Sequence, residues 1–144
     1  MKKRGVLNER LAGAMAGLGH MDRMIVCDAG FPVPKETEKI DLALARGIPG
    51  FKETLAAVVS EMVVEKVVLA SETREISPAL YGWLREVFPK QEFELVPHAQ
   101  FKLMAREVKF VVRTGEFTPY ANVLLVAASQ AEEFKRGLDV EITV

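Results

Sequence analysis

Cysteine occurs once in the 144 residues, as Cys27, so no disulfide can close within the chain and nothing points to a secretory compartment. Histidine is nearly as scarce, with only His20 and His98. Neither falls in a paired spacing such as HxH or HExxH. A ligand set drawn from His20, Asp28 and His98 therefore has no motif behind it, and no metal is expected. No glycine-rich phosphate cradle of the GxGxxG or GxxxxGK type is present, so a nucleotide cofactor is not expected either. Charge of one sign is also lacking: 19 basic residues face 20 acidic ones, a net charge of −1. Such a surface binds polyanions poorly, which argues against nucleic acid and anionic membranes as partners. No run approaches the roughly 18 apolar residues of a membrane span. The start, MKKRGVLNERLAGAMAGLGH, is basic and then apolar, but Asn8, Glu9 and Arg10 interrupt it before a signal-peptide core can form. A cytoplasmic protein is the expectation.

What is present is the composition of a globular domain, 49% hydrophobic and 27% charged. No repeat, low-complexity tract or linker divides it, so a single domain over 1–144 is expected. Asn8 suits a helix N-cap, with Leu11, Met15 and Leu18 on one face; Gly17 and Gly19 are stop signals, Gly19 the candidate for the left-handed position. RMIVC (23–27) reads as a strand buried on both faces, ended by the prolines of DAGFPVPKE. Turn signals at Gly47, Pro49 and Gly50 precede a helix in FKETLAAVVSEM. EKVVLAS is a second strand. Ser77 and Pro78 form an N-cap and first-turn pair for the helix PALYGWLREVF. EFELVP is a strand and HAQFKLMAREV a helix, followed by the strands KFVVRT and NVLLVAAS. The tail AEEFKRGLDVEITV fits a short helix and a last strand. Alternation of this kind predicts an α/β fold, a three-layer sandwich with a mainly parallel sheet flanked by helices.

Three places carry candidate chemistry. Asp28 stands at the carboxyl end of the first strand, where α/β sheets bind ligands. His20 sits past a helix end, where it suits the negative pole of that helix or, alternatively, proton transfer. His98 opens a helix with Lys102 one turn on, so both reach the same side; a plain surface role is the competing account. In RTGEFTPYANVLL, Tyr120 and Asn122 offer groups that both donate and accept hydrogen bonds, suited to sugar hydroxyls, although a hairpin with a polar tip explains the stretch equally well. Cys27, inside an apolar run, is expected to be inert core.

The segments KKRGVLNERL, LGHMDRMIVCDAGFPVP, IDLALARGIPGF, PHAQFK and RTGEFTPYANVLL, in this order and spacing, resemble the family of D-ribose pyranases and fucose mutarotases. CDAGFPVP and TPYAN are similar to its ribose branch. The resemblance implies a cytoplasmic enzyme without a cofactor that interconverts the pyranose and furanose rings of D-ribose. It further implies a ring-based homo-oligomer, commonly a decamer, with sites near subunit contacts. By the same resemblance His20 is the proton donor, and Asp28, His98, Tyr120 and Asn122 bind substrate, with Lys102 as an extra contact. Fucose-type mutarotation and a monosaccharide-binding oligomer without turnover are the alternatives. Residues 63–95 carry no family-specific match, and the tail after Ala128 is longer than is usual there.

Overall fold

The computed structural model describes residues 1–129, so the helix and strand expected in the tail lie outside the described residues. Among the described residues six strands form one sheet in the order β2-β5-β1-β6-β3-β4: β1 (Arg23–Cys27), β2 (Glu38–Asp41), β3 (Val64–Ala70), β4 (Glu92–Val96), β5 (Phe110–Arg113) and β6 (Val123–Ala127). β2, β5 and β1 pair in parallel, as do β3 and β4; β6 runs against both of its neighbours, β1 and β3. The sheet is thus mixed but mostly parallel.

Alternate residues of β1 show why three layers form. Met24 and Val26 join the larger core, with Leu11 and Met15 of α1 (Glu9–Ala16), Phe51 and Leu55 of α2 (Phe51–Val59), and Leu80 and Leu84 of α4 (Pro78–Val87). Ile25 and Cys27 face the other way, into a smaller core with Phe31 and with Phe101 of α5 (His98–Met104). A strand buried on both sides needs apolar residues at every position, which is the RMIVC pattern. Cys27 is fully buried, and burial together with the Asp28 charge pushes its thiol far above the usual value, as expected of inert core.

α1 starts as the sequence implies: the Asn8 side chain accepts the Leu11 N–H at 2.9 Å. Its end differs. Gly17 closes the helix at φ −83, and the positive φ falls on Met21 (72°), not on Gly19. Gly19 to Asp22 form a four-residue turn, with the Asp22 N–H bonded to the Gly19 carbonyl and the Asp22 carboxylate accepting the Gly19 N–H. Met21 occupies its third position, which type II geometry gives a positive φ. Two elements escaped the sequence reading, the edge strand β2 and the short helix α3 (Ser71–Ile76). Ser77 does precede α4, but its hydroxyl makes no cap bond. The loop from β5 to β6 is not a hairpin either, because β1 lies between those strands.

Candidate active site

Five strands point their carboxyl ends to one edge of the sheet, and the reversed strand β6 begins there. That edge collects Asp28 after β1, His98 after β4, and Tyr120 and Asn122 before β6. They line a cavity of about 340 Å³ together with Gly30, Phe31, Pro32 and Pro119.

Asp28 is fixed through its backbone and its side chain. Its N–H donates to the Asn122 Oδ1 at 2.9 Å, and one carboxylate oxygen accepts the Gly30 N–H at 3.0 Å. Burial raises the carboxyl above its usual value, while hydrogen bonds from the Gly30 backbone, the Asn122 carboxamide and the Phe31 backbone, and the His98 charge, work the other way. Asn122 is fully buried; its oxygen takes the Asp28 N–H, and its NH2, with two hydrogens, can donate both to the Asp28 carboxylate and into the cavity.

His98 opens α5, where the Glu72 carboxylate accepts its backbone N–H at 3.0 Å. Its ring stacks on Phe101 (centroids 6.5 Å, 10°) and meets Tyr120 edge-on (5.0 Å, 84°), with Phe31 a further edge-on neighbour. It is therefore a wall of the cavity and not a plain surface residue. Burial, then the nearby Lys102 charge, lowers its pKa below the ordinary 6.5, which favours the neutral imidazole. Its Nδ1 is buried without a partner among the described residues. Lys102 itself is exposed one turn on and does not line the cavity.

Tyr120 holds a left-handed backbone (φ 58°), uncommon for a residue with a side chain. The Thr73 hydroxyl donates to its carbonyl at 3.0 Å and the Ser77 hydroxyl to that of Pro119 at 2.7 Å. Upstream, Glu116 fastens the same loop. Its carboxylate accepts the Phe51 N–H at the start of α2 and the Thr118 N–H and hydroxyl, and its carbonyl accepts the Ala29 N–H. A larger cavity of about 560 Å³ lies on the far side of Asp28, between residues 43–46 and 113–119, rimmed by exposed Leu44 and Phe117. Glu72, Thr73 and Glu116 were not singled out from sequence, and Ser77 was read there only as a helix cap. A polar residue beside a strand end was their one signal, and many surface residues share it.

His20 is elsewhere. It lies in the turn before β1, exposed, with Nε2 3.3 Å from Glu65 at the start of β3. Five strand residues separate it from Asp28. At roughly 3.3 Å per residue, the two lie on the order of 15 Å apart along the sheet. One protomer therefore unites Asp28, His98, Tyr120 and Asn122, and leaves His20 at the opposite edge. Among the described residues, no three of His, Cys, Asp or Glu come together as a metal-ligand set. No described helix is long and apolar enough to cross a membrane.

A family model for RbsD / FucU transport proteins matches residues 1–129. The D-ribose pyranase of Chloroflexus aggregans is 50% identical over 127 residues, 88% of this chain and 97% of that protein. The D-ribose pyranase of Bacillus subtilis is 47% identical over the same shares. The structure of Bacillus subtilis RbsD complexed with D-ribose superposes with a TM-score of 0.86 at 46% identity, over 90% of this chain and 98% of that one. The fucose mutarotase of Streptococcus pneumoniae, in complex with L-fucose, shares the fold (TM-score 0.72, 18% identity, 85% of this chain and 94% of that one).

Proposed function

The chain belongs to the RbsD / FucU transport protein family, and from that premise we propose that it is a D-ribose pyranase, an isomerase exchanging the pyranose and furanose rings of D-ribose. The observation that carries this reading is the convergence of Asp28, His98, Tyr120 and Asn122 on one cavity, in a chain about half identical to D-ribose pyranases over most of its length.

Ring exchange begins when the ring oxygen gains a proton and the anomeric hydroxyl loses one, opening the sugar to its aldehyde. A different hydroxyl then attacks the carbonyl, and the proton movements reverse. No electrons change hands. Asp28 and the neutral imidazole of His98 present acceptors to sugar hydroxyls, the Asn122 NH2 donates, and the Tyr120 phenol does either. Holding the open chain among these groups limits unproductive conformers, which is where positioning lowers the barrier. His20 is the proton donor in this reading, because an imidazole gives and regains a proton near neutrality.

Since His20 stands at the far edge of its own sheet, it serves the cavity of a neighbouring copy. The reading thus requires a homo-oligomer, with the decamer of the ribose branch as the expected form. Exposed Leu44, Ile48 and Phe117 near the larger cavity suit burial against such a neighbour. A cytoplasmic location, beside the supply of free ribose, belongs to the same reading.

Saturation-transfer NMR on the anomeric signals tests it directly. Purified protein should accelerate exchange between ribose ring forms above the buffer rate, and act on ribose faster than on fucose. Faster exchange of fucose anomers would replace ribose with the fucose-type reaction. Ribose binding with no acceleration would leave a binding protein and end the enzymatic reading.

A further inference from the structure

Helix α3 and the bend after it spend three polar side chains on residues that belong to other elements. Glu72 takes the backbone N–H of His98, Thr73 the carbonyl of Tyr120, and Ser77 the carbonyl of Pro119. Thr73 is fully buried and Ser77 nearly so. Hydroxyls that far from water are held for a partner, and here both partners are on one loop.

The two carbonyls have a particular relation. The Pro119 carbonyl lies in the peptide plane before the Tyr120 Cα, and the Tyr120 carbonyl in the plane after it. Fixing both planes fixes φ and ψ of Tyr120 together. That residue is the one with the left-handed φ of 58°, a conformation that residues with side chains hold only where their surroundings impose it. The Asn122 N–H also bonds the Tyr120 carbonyl, at 2.8 Å. The outcome is a phenol ring set edge-on to His98. Meanwhile Glu72, one residue from Thr73, holds the backbone under that imidazole.

We propose that Thr73 and Ser77 are positioning residues of the ring-exchange site, locking the peptide planes on either side of Tyr120 so that its phenol stands against His98. The catalytic half of this inference rests on the isomerase reading above; the geometric half does not. Neither hydroxyl lines the sugar cavity, so both act through Tyr120. Short hydroxyls at these positions, and not merely small residues, are what the site requires.

The test compares Thr73→Val, Ser77→Ala and the double variant with wild type, with Thr73→Ser as the conservative rescue. Ser60→Ala serves as control, since it removes a similar hydroxyl-to-carbonyl bond at the end of α2, away from the cavity. Two readouts are taken on the full oligomer: kcat and KM for ribose by saturation transfer, and the NOE between the Tyr120 and His98 rings without sugar. Each single variant should lose about tenfold in kcat/KM and the pair on the order of a hundredfold, in line with a misplaced contact group. The ring NOE should weaken while core NOEs persist, and Thr73→Ser and Ser60→Ala should match wild type. A double variant with wild-type kcat/KM and ring NOE overturns the proposal. So does an activity loss that tracks a general loss of core NOEs, or a Thr73→Ser variant as impaired as Thr73→Val. If wild type itself fails to accelerate exchange, the isomerase reading falls, and the ring NOE alone still decides whether the two hydroxyls set Tyr120.

Discussion

Replacing Asn122 with alanine probes the joint on which the cavity depends. The side chain is 1% exposed, and its Oδ1 receives the Asp28 N–H at 2.9 Å. Truncation leaves a half-buried N–H without a partner, which costs about 1–3 kcal/mol. The small void adds about 1 kcal/mol. A net destabilisation of about 2–4 kcal/mol, spread over a chain whose unfolding entropy is roughly 2.1 cal/mol/K per residue, lowers Tm by about 7–13 °C. Asn122→Asp dissects the effect. It keeps the oxygen that accepts from Asp28 but sets a second carboxylate beside the first. Its deficit should be present at neutral pH and recede as the pH falls through the carboxylate range, whereas that of Asn122→Ala should stay. Both variants should lose on the order of a hundredfold in ribose exchange, Asn122→Ala because Asp28 is no longer held and Asn122→Asp because the second carboxylate repels the first and the donating NH2 is gone. Calorimetry at matched protomer concentration and saturation-transfer NMR provide the measurements. An Asn122→Ala protein melting within about 1 °C of wild type would refute the bridging role assigned here.

Other perturbations separate function from stability. Within its own subunit His20→Ala removes only an exposed pair with Glu65, so Tm should move by no more than about 2 °C, while exchange falls by about 10²–10⁴-fold; a wild-type rate removes His20 from the mechanism. Mixing His20→Ala with His98→Ala subunits should recover part of the rate, because some interfaces then pair an intact donor with an intact cavity. Asp28→Asn should melt above wild type at pH 7 while losing exchange activity. Burial raises the folded-state pKa of Asp28 above the ordinary 3.8, so its contribution to stability is fully present below that value and is lost as pH rises through the folded value. The gain should therefore vanish by about pH 3.8, and melting curves at the two pH values check it. In Gly115→Ala, the new methyl meets the Ala45 carbonyl and, at 2.7 Å, the Ile48 backbone N and O. Backbone cannot step aside, so about 1–3 kcal/mol or more is lost, readable in urea unfolding.

Much of the fold was legible because burial writes itself into the sequence in simple ways. RMIVC is apolar throughout since both its faces are covered, and the Asn8 cap is a one-residue signal. β2 was not legible: EKID buries only Ile40, and an edge strand with charges on its open side has no apolar run to show. α3 has six residues and one fully buried side chain, a threonine, so no helical period can emerge. The site divides along the same line. Asp28, His98, Tyr120 and Asn122 were readable as polar residues at strand ends. Their union needed the strand order, because residues 28, 98 and 120 meet through pairings that no local pattern encodes. His20 precedes RMIVC and Asp28 follows it, so their spacing alone implies opposite edges of the sheet.

The reversed direction of β6 gives the 114–122 segment an unusual stance. Both its feet stand on the same edge, one at the end of β5 and one at the start of β6, and the chain leaving β1 passes beneath, tied upward by the bonds from Asp28 to Asn122 and from Ala29 to Glu116. An arch with two planted feet resists swinging open as a hinged flap does. Discrimination between monosaccharides then falls to a fixed outline, like a keyhole, so a sugar bearing one extra methyl should be turned away at the threshold, with no closing motion to sort it afterwards.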